Sequence, residues 1–126
     1  MSALSEELTG YVAGDHLTIT RSVTGLAAAM TKAWLTVKRH EREPDSDARL
    51  QKVITTEDVP GTGQIVDAGG AGETGNLRFD LTSEDTAGLG DKVSVYDIQI
   101  KEATGKINTL EKGTIQLTAG VTAASS

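Results

Sequence analysis

The chain has 126 residues, no cysteine and a formal net charge of −6. That length suits one domain with one modest hydrophobic core, and the missing thiols exclude disulfide frameworks, thiolate zinc sites and thiol nucleophiles. The acidic balance weighs against nucleic acid and anionic membrane as partners, because both are held through basic surface.

Taken in order, the chain starts with Met1–Glu7, which has neither a basic region nor an apolar stretch and does not read as a signal peptide. Residues 1–10 form an extended N-terminal segment, and Tyr11 and Val12 a short first strand. Gly14 and Asp15 make a turn into a strand on which Leu17, Ile19 and Val23 share one face, with Thr18, Thr20 and Ser22 on the other. Arg21 interrupts the apolar set, which predicts a partly exposed strand. Leu26–Lys32 contains helix-forming alanines but is too short to hold a helix alone. Ala33, Leu35 and Val37 then alternate with Trp34, Thr36 and Lys38. The segment His40–Arg49 is charged, contains Pro44 and is read as the tip of a hairpin.

Strands are expected over Leu50–Thr55 and Gln64–Ala68, separated by a turn at Pro60, Gly61 and Gly63. Ala68–Gly75 (AGGAGETG) is too glycine-rich for a strand and is expected to be mobile. Leu77, Phe79 and Leu81 face opposite Asn76, Arg78 and Asp80, the cleanest alternation in the chain. Ser83 is read as the cap of a single helical turn with Glu84 and Asp85 at its start, closed by Gly88 or Gly90. Over Lys92–Lys101, Val93 and Val95 lie on one parity and Tyr96, Ile98 and Ile100 on the other. A bulge near Val95 and Tyr96, or a crossing between sheets, is the favoured reading over a strand covered on both faces. Thr104, Gly105 and Lys106 form a hairpin loop between strands, followed by strands at Lys106–Leu110 and Thr114–Thr118 with a bend or bulge at Lys112 and Gly113. Residues 120–126 form a flexible tail of small residues.

The chemistry-bearing patterns are sparse. The glycine-rich stretch lacks the Gly-Lys-Ser/Thr that a phosphate loop needs before a helix, since Gly75 is followed by Asn76. Asp45, Ser46 and Asp47 open like a calcium loop, but the sixth and twelfth positions are Leu50 and Thr56. His16 and His40 have no zinc-binding spacing, and no serine sits in a Gly-x-Ser-x-Gly elbow. Glu84 and Asp85 are first-turn residues favoured by the helix dipole. No catalytic residue, cofactor or metal is expected. The longest basic cluster, Lys38–His40, is followed by Glu41 and Glu43, so its local charge is close to neutral. With only four aromatic residues in the chain, Trp34 is read as part of the core or of an assembly interface rather than as a sugar platform.

Several segments together carry a resemblance. They are Gly14–Thr20 (GDHLTIT) leading to Val23–Leu26 (VTGL), Ala33–Lys38 (AWLTVK), Leu77–Thr86 (LRFDLTSEDT), Val95–Ile100 (VYDIQI) and Leu110–Leu117 (LEKGTIQL). Their order, spanning 10–121, resembles small structural proteins of tailed phages, similar to the N-terminal domain of phage baseplate upper proteins. The charged loop His40–Arg49 and the glycine-rich loop depart from that pattern, and those proteins continue into a stalk after this domain. The resemblance implies an immunoglobulin-like sandwich and symmetric assembly on a particle.

The expectation is therefore a single all-β domain over 1–126, an immunoglobulin-like two-sheet β-sandwich of about seven to nine short strands with one short helical turn. Its core is expected to include Leu17, Ile19, Leu35, Val37, Leu77, Phe79, Leu81, Tyr96, Ile98, Ile100, Ile115 and Leu117. The expected role is a non-enzymatic virion component of baseplate, neck or collar, or an adaptor, made in the host cytoplasm. It assembles with other phage structural proteins and as a homo-oligomer, without nucleic acid or membrane. The alternative is a monomeric accessory module binding a carbohydrate or a protein. Candidate interface residues are Trp34, Tyr11, His40 and Arg42.

Overall fold

Alternating apolar residues sort most of the chain into two facing layers. The computed structural model describes residues 4–8, 14–39, 49–89 and 93–117. Eight strands and one helix follow in the order β1 (Leu4–Leu8), β2 (Leu17–Val23), β3 (Met30–Lys38), β4 (Leu50–Ile54), β5 (Gly63–Asp67), β6 (Gly75–Leu81), α1 (Ser83–Leu89), β7 (Ser94–Glu102) and β8 (Ile107–Ile115). A five-stranded sheet has the order β1-β8-β7-β3-β4 and a three-stranded sheet the order β2-β6-β5. All pairings are antiparallel except that of β1, which runs parallel to β8. If β2 to β8 take the places of strands B, C, C′, D, E, F and G, the sheets read G-F-C-C′ and B-E-D. That is the immunoglobulin-like arrangement.

The inner faces interdigitate into one core. All twelve residues expected there are buried, and Val23, Leu26, Met30, Ala33, Ile54, Ile65, Leu89 and Leu110 join them. Strand β6 shows the cause most plainly. Its odd-numbered residues are all buried and its even-numbered ones half-buried on the outside. A one-residue slip would exchange the two sets, so the core fixes the register.

Several local expectations are corrected. Strand β7 pairs with β8 without interruption through Val95 and Tyr96. It is a central strand whose inner parity, Ser94 to Glu102, is buried while Val95 is only half-covered outside. The irregularity lies instead on the partner strand, where Ile98 pairs with Glu111 but Gln99 pairs with Thr109, leaving Leu110 as an extra residue. The residues expected as two strands with a bend or bulge at Lys112 and Gly113 thus form one strand, β8, whose bulge lies at Leu110. The helical segment is capped by Thr82 rather than Ser83. The Asp85 amide donates to Thr82 Oγ1 at 3.2 Å and the Thr82 amide to Asp85 Oδ2 at 2.8 Å, a capping box with aspartate in the usual glutamate place. Of the two glycines expected to close it, Gly88 lies within the helix and Gly90 lies outside the described residues.

The segment Ala68–Gly75, expected to be mobile, is tied to the β2–β3 connection. The Met30 amide donates to the Ala68 carbonyl at 2.9 Å and the Gly72 amide to the Leu26 carbonyl at 3.0 Å. The β2–β3 connection is itself held from beneath by Glu102, which is buried at the end of β7. Its Oε1 accepts from the amides of Ala27 and Ala28, and its Oε2 from the Asn108 side chain at 2.7 Å. The expected hairpin at Gly105 is present, with φ of 92° at that glycine. The expected strand at Tyr11 and Val12 and the tail lie outside the described residues. So does most of the charged loop that joins the antiparallel pair β3 and β4.

Phe79 has no exposed surface. Phe79→Ala is expected to cost about 3–5 kcal/mol in denaturant unfolding. Gly63 adopts a φ of 130° and lies so close to β6 that a Cβ would stand 2.1 Å from the Arg78 carbonyl oxygen. Gly63→Ala is expected to destabilise by roughly 2–3 kcal/mol in the same experiment, although no side chain is removed.

Candidate functional site

Two polar arrangements stand out, one between the sheets and one on the outside. The first begins with Arg21. It keeps the inward parity of Leu17, Ile19 and Val23 and reaches the buried Glu111 while about 25% of its side chain stays exposed. Its Nε donates to Glu111 Oε1 at 2.6 Å and its Nη2 to Glu111 Oε2 at 3.1 Å, the paired geometry that a guanidinium makes with a carboxylate. Nη1 donates to the Thr20 carbonyl at 2.8 Å. The Tyr96 hydroxyl donates to Glu111 Oε2 from the same side of the core. Glu111 is fully buried, and it faces inward together with Leu110 because of the bulge in β8.

The charges follow from this geometry. Burial alone would raise the Glu111 pKa, but the Arg21 guanidinium and the Tyr96 hydroxyl outweigh it and hold the carboxyl below its usual 4.5. Burial, reinforced by the neighbouring carboxylate, pushes the Tyr96 phenol well up, so it remains a donor. An ionised and enclosed carboxylate has neither the proton nor the access that a general acid requires. The network joins β2 to β7 and β8 across the core, linking the two sheets as the B–F disulfide does in antibody domains.

The second arrangement comes from comparing the two outer faces. On the three-stranded sheet the outward residues satisfy one another. Ser22 Oγ donates to Asn76 Oδ1 at 3.0 Å, and Arg78 bridges Asp80 at 3.1 Å and Asp58 at 2.6 Å. The five-stranded sheet has such a pair as well, Gln51 Nε2 donating to Thr36 Oγ1 at 3.1 Å, and adds an aromatic ring. One row across it reads Val53, Trp34, Gln99 and Thr109, and the next reads Gln51, Thr36, Asp97 and Lys112. Val53 is 40% exposed and Ile107 55%. Lys32 Nζ stands 5.9 Å from the centroid of the Trp34 ring. A shallow depression of about 260 Å³ opens on this face, with Thr36, Lys38, Asp97 and Lys112 in its lining.

Trp34 is therefore half-buried on the outer face and is not part of the core. Of the other candidate interface residues, Tyr11, His40 and Arg42 lie outside the described residues. His16 is exposed, and Ser94 is buried and accepts a hydrogen bond from Arg49 Nη1 at 2.9 Å. Among the described residues no group of three or more His, Cys, Asp or Glu is placed to hold a metal ion. Sequence reasoning missed Glu111, Glu102 and the inward course of Arg21. Arg21 is half-buried, in keeping with the partial exposure expected of its strand, and its parity with Leu17 and Ile19 was the available signal for its reach toward Glu111. No protein-family model matches the chain, and no curated protein matches it.

The network sets a pH dependence. The folded Glu111 carboxyl titrates below its unfolded value of about 4.5, as does Asp85 below 3.8 beside Lys52. Their contribution is therefore complete above the unfolded values and is lost as the pH falls through the folded ones. Unfolding followed from pH 7 to pH 2 should show stability dropping below about pH 4.5, with a shallower drop in Glu111→Gln. At pH 7, Arg21→Ala should cost roughly 3–5 kcal/mol, because it leaves a buried carboxylate without its cation.

Proposed function

We propose that this chain is a non-enzymatic structural component of a tailed-phage particle, seated at the baseplate, neck or collar or as an adaptor, and that it works by protein–protein assembly. The observation that carries the assembly part is the outer face of the five-stranded sheet. It displays the chain's one tryptophan next to its cross-strand neighbour Val53, which is 40% exposed, and carries exposed Ile107 on β8. Aromatic residues in such a setting are the usual anchors of protein interfaces. The virion part rests on the resemblance of the segments spanning 10–121 to the N-terminal domain of phage baseplate upper proteins. Its partners are other phage structural proteins and further copies of itself, and its place is the virion after synthesis in the host cytoplasm.

A monomeric accessory module for a carbohydrate or protein is the second reading. The half-exposed Trp34 ring, flanked by Lys32 and Gln99, favours it. The depression of about 260 Å³ counts against a small-molecule site, since such pockets usually run from about 300 to 1,000 Å³.

Immunogold labelling of intact particles should place discrete label at the neck or tail tip, and mass spectrometry should find the chain in denatured particles. Absence by both measurements would overturn the virion reading. Titrating the protein with glycans while following Trp34 fluorescence separates the alternative. No change is expected, and a saturable shift would move the assignment to the accessory module.

A further inference from the structure

Among the described residues no strand pairs with the outer edge of β2, since the three-stranded sheet has the order β2-β6-β5. The direction of the backbone groups along that edge follows from β6. The Asp80 amide donates to the Thr62 carbonyl on the β5 side at 3.0 Å. Backbone groups alternate in direction along a strand, so Leu77, Phe79 and Leu81 turn theirs toward β2, against Arg21, Ile19 and Leu17. Thr18, Thr20 and Ser22 therefore aim their amides and carbonyls away from β6, at the edge. Arg21 Nη1 donates to the Thr20 carbonyl at 2.8 Å, the middle acceptor of that row. Nε and Nη2 of the same guanidinium hold Glu111 on β8.

The other edge of this sheet is covered differently. The Ile65 amide of β5 donates to the Thr55 carbonyl just beyond β4 at 2.7 Å, and the register of β5 is interrupted between Ile65 and Asp67. Strand β2 contains no proline and no lysine, its register with β6 is unbroken, and Thr18, Thr20 and Ser22 are exposed. An edge of this kind is a template for pairing with another chain. It is also self-complementary. Antiparallel pairing of two copies about Thr20 sets Thr20 against Thr20 and Thr18 against Ser22, hydroxyl residues throughout, with their edge-directed backbone groups facing one another. We propose that Arg21 is the guard of this edge: strapped between the Thr20 carbonyl and Glu111, its guanidinium occupies the central acceptor and keeps β2 from joining β2 of a second copy into one continuous sheet. The guard confines contacts between copies to other surfaces. It stands apart from the virion reading and holds equally for a monomeric module.

Sedimentation velocity combined with amide hydrogen exchange on the full chain tests this. The double variant Arg21→Leu with Glu111→Gln removes the guanidinium without leaving a buried carboxylate unpaired, and thermal melts check that the fold is kept. It should self-associate at least about tenfold more tightly than wild type, with exchange at the Thr18, Thr20 and Ser22 amides slowed by a similar factor as concentration rises. Adding Thr20→Lys sets two lysines against each other at the twofold axis and should return the chain to wild-type behaviour. The wild-type chain mixed with a synthetic peptide of residues 17–23 should keep fast exchange at the same three amides, a measurement that stands even if the double variant does not fold. Slowed exchange there would show an open edge with Arg21 in place and overturn the proposal. So would a folded double variant that associates no more than wild type, or one whose association survives Thr20→Lys.

Discussion

The contact on which the sandwich most depends is the triad of Arg21, Glu111 and Tyr96, centred on the buried Glu111 carboxylate. Apolar packing holds two sheets together but is non-directional and tolerates sliding. A bidentate guanidinium–carboxylate pair does not, because a shift of one residue would leave a buried charge unpaired. Glu111 sits at the crossing point, with Arg21 reaching it from β2 and Tyr96 from β7. In a domain without cysteine this takes over the positional role of an inter-sheet disulfide, though it constrains the folded state rather than the unfolded one. The bulge in β8 is part of the same device, since the extra residue Leu110 lets that strand bury both Leu110 and Glu111.

Glu102 plays a related part at the other end of β7. Its carboxylate satisfies the Ala27 and Ala28 amides, which would otherwise be donors without partners in a turn packed on the core. Through that turn, the glycine-rich connection before β6 acquires backbone partners at Leu26 and Met30. Composition alone describes that connection as flexible. Its order comes from neighbours distant in the sequence.

The two outer faces show how one fold presents two different surfaces. Inner positions of both sheets are constrained by packing, and outer positions are not, so outer residues are available to function. The three-stranded side uses this freedom for the Ser22–Asn76 pair and the Arg78–Asp80 ion pair, and the five-stranded side for lysines, threonines and the tryptophan.

The amino-acid order by itself determined the β class, the twelve core residues named from alternation, the Gly105 hairpin and the helical segment after β6. Each of these depends on period-two patterning or on local turn and capping chemistry, which neighbouring residues carry. It also placed Trp34 opposite Leu35 in parity, which left core and interface equally open. Only the tertiary structure decided that Trp34 faces outward, that Arg21 points inward to Glu111, and that the irregularity lies in β8 instead of β7. The same holds for the capping by Thr82 and the anchoring of the glycine-rich segment. The physical reason is reach. Arg21 and Glu111 are 90 positions apart, and a partner at that separation leaves no periodic trace in either strand. The shared face of the lysines is of the same kind, since residues scattered over β3, β7 and β8 come together only once those strands pair.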